Sequence, residues 1–417
     1  MLNNEHSRAR ERVRELAREV AAVAASDENR LRGQRWRDVN SLRKPDRSPI
    51  WSCVVSPDIR PMAPVSSDPF DLAVERQLIG WLRHWALGDD FVMPDHMEVP
   101  MVVRVEGEHV WGLPIVHESP PDVPGAARSR GAWRYEPPIK EESDIDRIRL
   151  PRYQYDRAAT QRNQGRTHDI VGDILPVFLS CGNGYHLHGL YGAWLHGWAM
   201  GLRGMEQLLI DMMDRPQWVH RLMQTLMRGY LDAYDQFEEA QALALNHTTG
   251  KLFCDDLPQP DYDPKRLRLK DLWGRSESQE FQGVGPAQYE EFLLQYQKPI
   301  LERFGLVFYG CCEDLTRKVP HLLTLRNLRR FVASAWTDLG TVVDAVGDRY
   351  AIEWRQLATD FVFKPMPALR EHLERGLQRA RGTYIMIVLR EVATLEGRNE
   401  RPREWVRIAR ECAEKHA

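Results

Sequence analysis

Cysteine is scarce in this chain: six in 417 residues, at positions 53, 181, 254, 311, 312 and 412. That number and spacing exclude a disulfide framework, and most of the thiols sit in or beside apolar runs, as reduced cytosolic thiols do. Long hydrophobic runs are missing as well. No stretch of about 18 apolar residues occurs, and the first twenty residues hold no apolar signal core, so a cytoplasmic protein without a membrane span is expected. Charge of one sign is not in excess. A formal charge of -3 exerts no general pull toward nucleic acid or an anionic membrane. Neither G-x-G-x-x-G nor G-x-x-x-x-G-K-[ST] follows an early strand, which removes the usual nucleotide-binding signatures of an open doubly wound sheet.

What the chain does have is a series of short apolar runs, each closing on reactive groups. KLFCDD ends in Cys254, Asp255 and Asp256, and LVFYGCCED ends in Cys311, Cys312 and Glu313. RFVASAWTD carries Ser334, Trp336 and Asp338; YAIEWR carries Glu353 and Arg355; IMIVLRE closes on Arg390 and Glu391. Buried parallel strands read as such runs, and (β/α)8 barrels carry their chemistry where the strands end.

Strands are expected near residues 50, 90, 174, 251, 306, 330, 350 and 385, with helices between most of them. Eight alternating units favour an α/β fold of the (β/α)8 TIM-barrel type, with an open sheet as the competitor. Residues 1–48 form an N-terminal helical extension in this reading, with Val13, Leu16, Val20 and Val23 along one side of the first helix. Residues 49–417 form the barrel. The segment 93–170 is an insertion over the barrel mouth or a small second domain, opening with a hairpin that turns at Glu106-Gly107.

The strand ends supply the candidate site. Asp255 or Asp256 would act as general acid or base, or orient substrate; the alternative is a helix cap or a pair with a rim arginine. Cys312 and Glu313 join them as catalytic candidates. Adjacent strand residues face opposite ways, so one thiol of the Cys311–Cys312 pair is otherwise a buried structural group. His186 and His188, with His196, lie in the aromatic loop YHLHGLYGAWLHGW, which would wall a pocket. Glu353 and Arg355 share one side of their strand, either as an interior ion pair or fork, or as exterior charges with Trp354 in the core. Trp273, Gln279 and Glu280 fall in an expected loop that could gate substrate, and Arg390 ends the last strand.

Several longer stretches resemble the uroporphyrinogen decarboxylase superfamily. They are SLRKPDRSPIW, MMDRPQWVHRLMQTLMRGYLDAYDQFEE, PAQYEEFLLQYQKPILERFGLVFYGCCED, RNLRRFVASAWTDLGTVVDAVGDRYAIEWR and TLEGRNERPREWVRIARE, in that order. The resemblance implies a TIM barrel, a homodimer, and one of two activities: the haem-pathway decarboxylase or a zinc-dependent methyltransferase serving corrinoid proteins or thiols. IWSCVVSPDIRPM stands where the decarboxylase has its arginine-rich signature, so the methyltransferase branch is implied. In that branch's His-x-Cys zinc motif, Cys311 takes the Cys position and Tyr309 the His position. Glu391 stands near the last strand, where the branch has a further Cys. The implied zinc site is therefore either altered, with Cys311 and Glu391 or a nearby His holding the metal, or absent; Tyr309 and Trp336 are expected near substrate, and a corrinoid on a partner protein. The alternative is a metal-free decarboxylase or lyase that binds a small carboxylated substrate through Arg355 or Arg390.

Overall fold

The computed structural model describes residues 2–118, 134–181, 186–187, 190–247 and 250–417. Eight strands in it run parallel to a neighbour. They are β1 (Ile50–Ser52), β2 (Met97–Pro100), β3 (Val177–Ser180), β4 (Trp273–Ser276), β5 (Leu306–Tyr309), β6 (Leu328–Ala333), β7 (Ala351–Gln356) and β8 (Tyr384–Leu389). Six make one sheet in the order β1-β8-β7-β6-β5-β4, and β2 pairs with β3 separately. Helices follow β5, β6, β7 and β8, as parallel strands require. The protein is thus mixed α/β with a six-stranded parallel sheet.

Local chemistry sets these elements. Asp338 caps the helix Leu339–Val346 by accepting from the Thr341 amide at 2.7 Å. Pro367 opens the helix Met366–Arg379, where its missing N–H costs nothing. The apolar stripe of the first helix (Leu2–Ala24) is buried as expected: Val13, Leu16 and Val20 pack with Val74, Leu78 and Leu82 of the helix Pro69–Trp85 and with Met97 of β2. Each such side chain contributes about 1.5–3 kcal/mol of burial. The start of β1 is clamped by Asp90, which is fully buried and accepts from Arg35, from both terminal nitrogens of Arg47, and from the Ile50 amide at 2.8 Å.

Four expectations change. The strand near Phe91–Val92 lies instead at Met97–Pro100, inside the segment read as an insertion. Glu106-Gly107 does turn, with Gly107 at φ +86. However, Val103–Val105 pairs with the distant Tyr153–Tyr155 rather than with the residues just after the turn. The run at 251–256 is not a strand. Its carbonyls are taken by side chains: Lys251 and Phe253 accept from Asn40, Leu252 from the Trp273 indole, and Lys251 again from Arg330. No ladder remains to be made, and Leu252, Cys254 and Leu257 pack under Trp273, Leu306, Phe308 and Val332 as a floor. The fourth change is β4 itself. WGRS has no apolar run, yet all four of its residues are buried. Gly274 is required there, because a Cβ would come within 2.5 Å of the Phe304 ring.

Candidate active site

Because β4 to β8 run parallel, their carboxyl ends share one rim. Glu277 follows β4, Cys311 to Glu313 follow β5, Arg355 is the penultimate residue of β7, and Arg390 and Glu391 follow β8. The turn after β5 depends on Gly310 at φ +115, where a Cβ would meet Val332 and Leu315 at 2.9 Å. Glu313 then ties two turns together. It is fully buried and accepts from the Ser278 amide (2.7 Å), the Ser278 hydroxyl (3.2 Å) and the Cys311 amide (2.9 Å). Its oxygens are occupied, so it positions the neighbouring residues instead of meeting substrate. Tyr309 does the same from the other side, its hydroxyl donating to Gln297 at 2.7 Å and lying 3.1 Å from the Glu277 carbonyl.

What these clamps hold is a thiol pair beside a carboxyl. Cys311 Sγ and Cys312 Sγ are 3.5 Å apart. Hydrogen bonding to Cys312, then burial, raises the Cys311 pKa; accepting from Cys311, with Arg355 and Arg390 nearby, lowers that of Cys312. Glu277 is 8 % exposed beside Cys311, and burial first, then the Cys311 sulfur, pushes its carboxyl up to about 7. Among the described residues nothing hydrogen-bonds its Oε2, which Arg275 approaches at 3.5 Å. Burying a carboxylate is costly, so the group holds its proton up to about 7.

Arg355 organises the centre. It donates to Glu353 at 2.9 Å and to the Cys311 carbonyl at 2.8 Å, while Glu353 also faces Arg330 at 3.8 Å. Both charges lie on a buried face, and Trp354 points the other way against Gly376 and His372. Burial pushes the Glu353 carboxyl up, but Lys251, Arg355, Arg330 and Arg390 overcome this and hold it well below the usual carboxylate range. Arg390 pairs with Glu391, a non-glycine residue at φ +60 on the open side of the cluster.

The remaining expected residues are dispersed. Asp255 and Asp256 sit at the opposite, amino-terminal rim. Asp255 pairs with Arg37 and Arg43, and Asp256 with Arg329 at the start of β6. They became surface partners of arginines because their segment forms the floor and is not a strand. Asp256→Ala is therefore expected to shift stability by only about 0–1 kcal/mol and to leave turnover unchanged; a large loss of turnover would contradict this placement. Trp273 is wholly buried in β4 against the floor, far from any gate. Gln279 is exposed on the turn after Ser278, and Trp336 stands 62 % exposed on the rim turn after β6. His186 lies in the short strand His186–Leu187, and His188 lies outside the described residues. His196 is buried with its Nε2 2.8 Å from Glu280, out of hydrogen-bond alignment.

The two groups expected to hold zinc, Cys311 and Glu391, both lie near one guanidinium nitrogen. Arg355 Nη1 is 3.7 Å from the Cys311 sulfur and 3.7 Å from Glu391 Oε1. As arranged, this donor set suits a cation already supplied by the chain, not a tetrahedral metal centre. Glu277 is the residue that sequence reasoning missed. It is the first charge after β4, and it went unnoticed because β4 read as a loop.

A cavity of about 1450 Å³ lies elsewhere, between the helix Asp27–Asn40, β2, β3 and the floor segment. Asp255 lines it, but none of Glu277, Cys311, Cys312, Arg355 or Arg390 does. Among the described residues no helix is long and apolar enough to cross a membrane. No protein-family model matches the chain, and no curated protein does.

Glu277 also carries a pH signature. Its folded carboxyl holds a proton up to about 7 and its free form only up to 4.5, so between these values the folded state binds more protons. Stability then falls as pH rises through that window. Glu277→Gln removes the slope: the variant should equal the wild type near pH 4 and exceed it by about 3 kcal/mol near pH 8. Denaturant midpoints at the two pH values test this, and parallel behaviour of the two proteins would contradict it.

Proposed function

We propose that this protein is a cytoplasmic methyltransferase of the uroporphyrinogen decarboxylase-like kind, built as a (β/α)8 barrel in which β2 and β3 complete the ring between β1 and β4. Its reaction runs at the carboxyl rim. The observation that carries the proposal is the thiol pair held between a proton-bearing Glu277 and the guanidinium groups of Arg355 and Arg390. The likeness of the sequence stretches quoted above adds to it, and six free cysteines support a reducing compartment.

In this reaction the Cys312 thiolate attacks the methyl carbon of a small methylated donor or a corrinoid. A sulfur–carbon bond forms as the bond to the leaving atom breaks, and where that atom needs a proton Glu277 supplies it. Arg390 and Arg355 bind the anionic part of the donor. Zinc, if bound, would stabilise a thiolate, and the Arg355 guanidinium, 3.7 Å from both Cys311 and Glu391, would have to move away from them. A corrinoid protein is the proposed partner and a homodimer the proposed assembly. Methylcobalamin is the first probe: its demethylation by the purified protein, with a methyl group mapped to Cys312, supports the proposal. Demethylation at the same rate by Cys312→Ser would sink it.

The same two arginines and the protonated Glu277 favour one second reading, a lyase releasing carbon dioxide from a small carboxylated substrate. Carbon dioxide release that persists in Cys312→Ser and fails in Glu277→Gln would select it.

A further inference from the structure

The β2–β3 ladder stands apart from the six-stranded sheet, and its two faces differ. Met97 and Val177 are partners in register and pack against helices, in the cluster that holds Val13 and Leu78. Side chains alternate along a strand, so the next pair, Glu98 and Phe178, looks the other way. In a closed barrel that face is filled by the inward side chains of neighbouring strands. Here it borders the cavity of about 1450 Å³, whose other walls are the helix Asp27–Asn40, the stretch 241–247 and the floor segment. The Phe178 ring is left 55 % exposed within a strand.

The charges on the cavity lining are already engaged. Arg37 pairs with Asp255 and Arg30 with Asp27, while His96 lies 2.7 Å from Asp95 and 3.6 Å from Glu98. Lys265 remains, exposed to solvent. An ion entering the cavity would be desolvated with no free counter-charge inside to meet it. One polar group is left over. His247 lines the cavity, and its ring has no hydrogen-bond partner among the described residues. Burial, then Arg37, lowers its pKa to about 4, so the imidazole is neutral and can give or take a hydrogen bond. Nδ1 is sealed off, which leaves Nε2 for a ligand. Apolar walls with a single convergent polar group are the usual lining of a small-molecule site.

We propose that this cavity binds an uncharged, mainly apolar small molecule with one hydrogen-bonding group (a hydroxyl, carbonyl or N–H). Its body lies against Phe178 and Phe253, and its polar group meets His247 Nε2. Such a ligand covers the open ring of Phe178 and engages the idle imidazole without desolvating a charge. The site lies away from the thiols and arginines of the rim and needs no part of the methyl-transfer reading.

The test uses the full chain and the neutral fluorophore N-phenylnaphthylamine, an apolar molecule with one N–H, beside its sulfonated counterpart anilinonaphthalenesulfonate. Fluorescence of the neutral probe should saturate at one site per chain, and the sulfonated probe should bind on the order of tenfold more weakly or worse. Phe178→Asp should weaken the neutral probe by on the order of 10–100-fold, with little change in the melt because the ring is not in the core. Benzylnaphthalene, with CH2 in place of the N–H, should bind about three- to tenfold more weakly by displacement, and His247→Leu should erase that difference. Equal affinity of the wild type for the two fluorophores, or an affinity unchanged in Phe178→Asp, overturns the proposal. The first of these needs no variant to fold.

Discussion

Cys312→Ser should lower methyl transfer by on the order of 10³-fold or more while leaving the unfolding midpoint nearly unchanged. The reason lies in how little else Cys312 does. Its sulfur contacts Cys311 and no core side chain is anchored on it, whereas Glu313 and Arg355 hold the turn by the Cys311 backbone. A serine hydroxyl keeps the size but has no accessible anion near neutrality, so the nucleophile is lost and the scaffold kept. Single-turnover rates with methylcobalamin, together with a thermal melt, check both halves. A variant that melts far earlier would mean that the pair is structural.

The second large effect concerns stability. Glu353→Ala should destabilise the protein by about 3–5 kcal/mol, because it removes the buried carboxylate that Arg330 and Arg355 share. The sign with pH follows from the depressed carboxyl. Its contribution is present above the unfolded value of 4.5 and is lost only as pH falls through the lower folded value, so the penalty persists across neutral pH. Urea midpoints near pH 7 measure it, and a cost below about 1 kcal/mol would show that Arg330 and Arg355 are satisfied without Glu353.

Much of the rim was legible in the sequence and its floor was not. LVFY, LRRFVA, AIEWRQ and YIMIVL are strands β5 to β8 because apolar residues buried on both faces leave a continuous run. Cys311, Cys312, Arg355, Arg390 and Glu391 could therefore be placed together from spacing alone. KLFC offers the same run for a different reason: Leu252 and Cys254 are apolar because they plug the base of the sheet, so Asp255 and Asp256 fall on the wrong rim. WGRS inverts the case. It is buried, yet it contains a glycine that admits Phe304 and an arginine lying over Phe308, so no hydrophobic pattern marks it, and Glu277 was hidden with it. The even choice over Glu353 and Arg355 could not be decided by alternation, which fixes that they share a face but not which face.

The claim on which the account turns is that Cys312 is a nucleophilic thiolate at the rim. Timed labelling of the native protein with iodoacetamide near pH 7, read by peptide mass spectrometry, addresses it without knowledge of the substrate. Cys312 should be alkylated first, ahead of the more exposed Cys53. Labelling of Cys53 while Cys312 stays unmodified would contradict it.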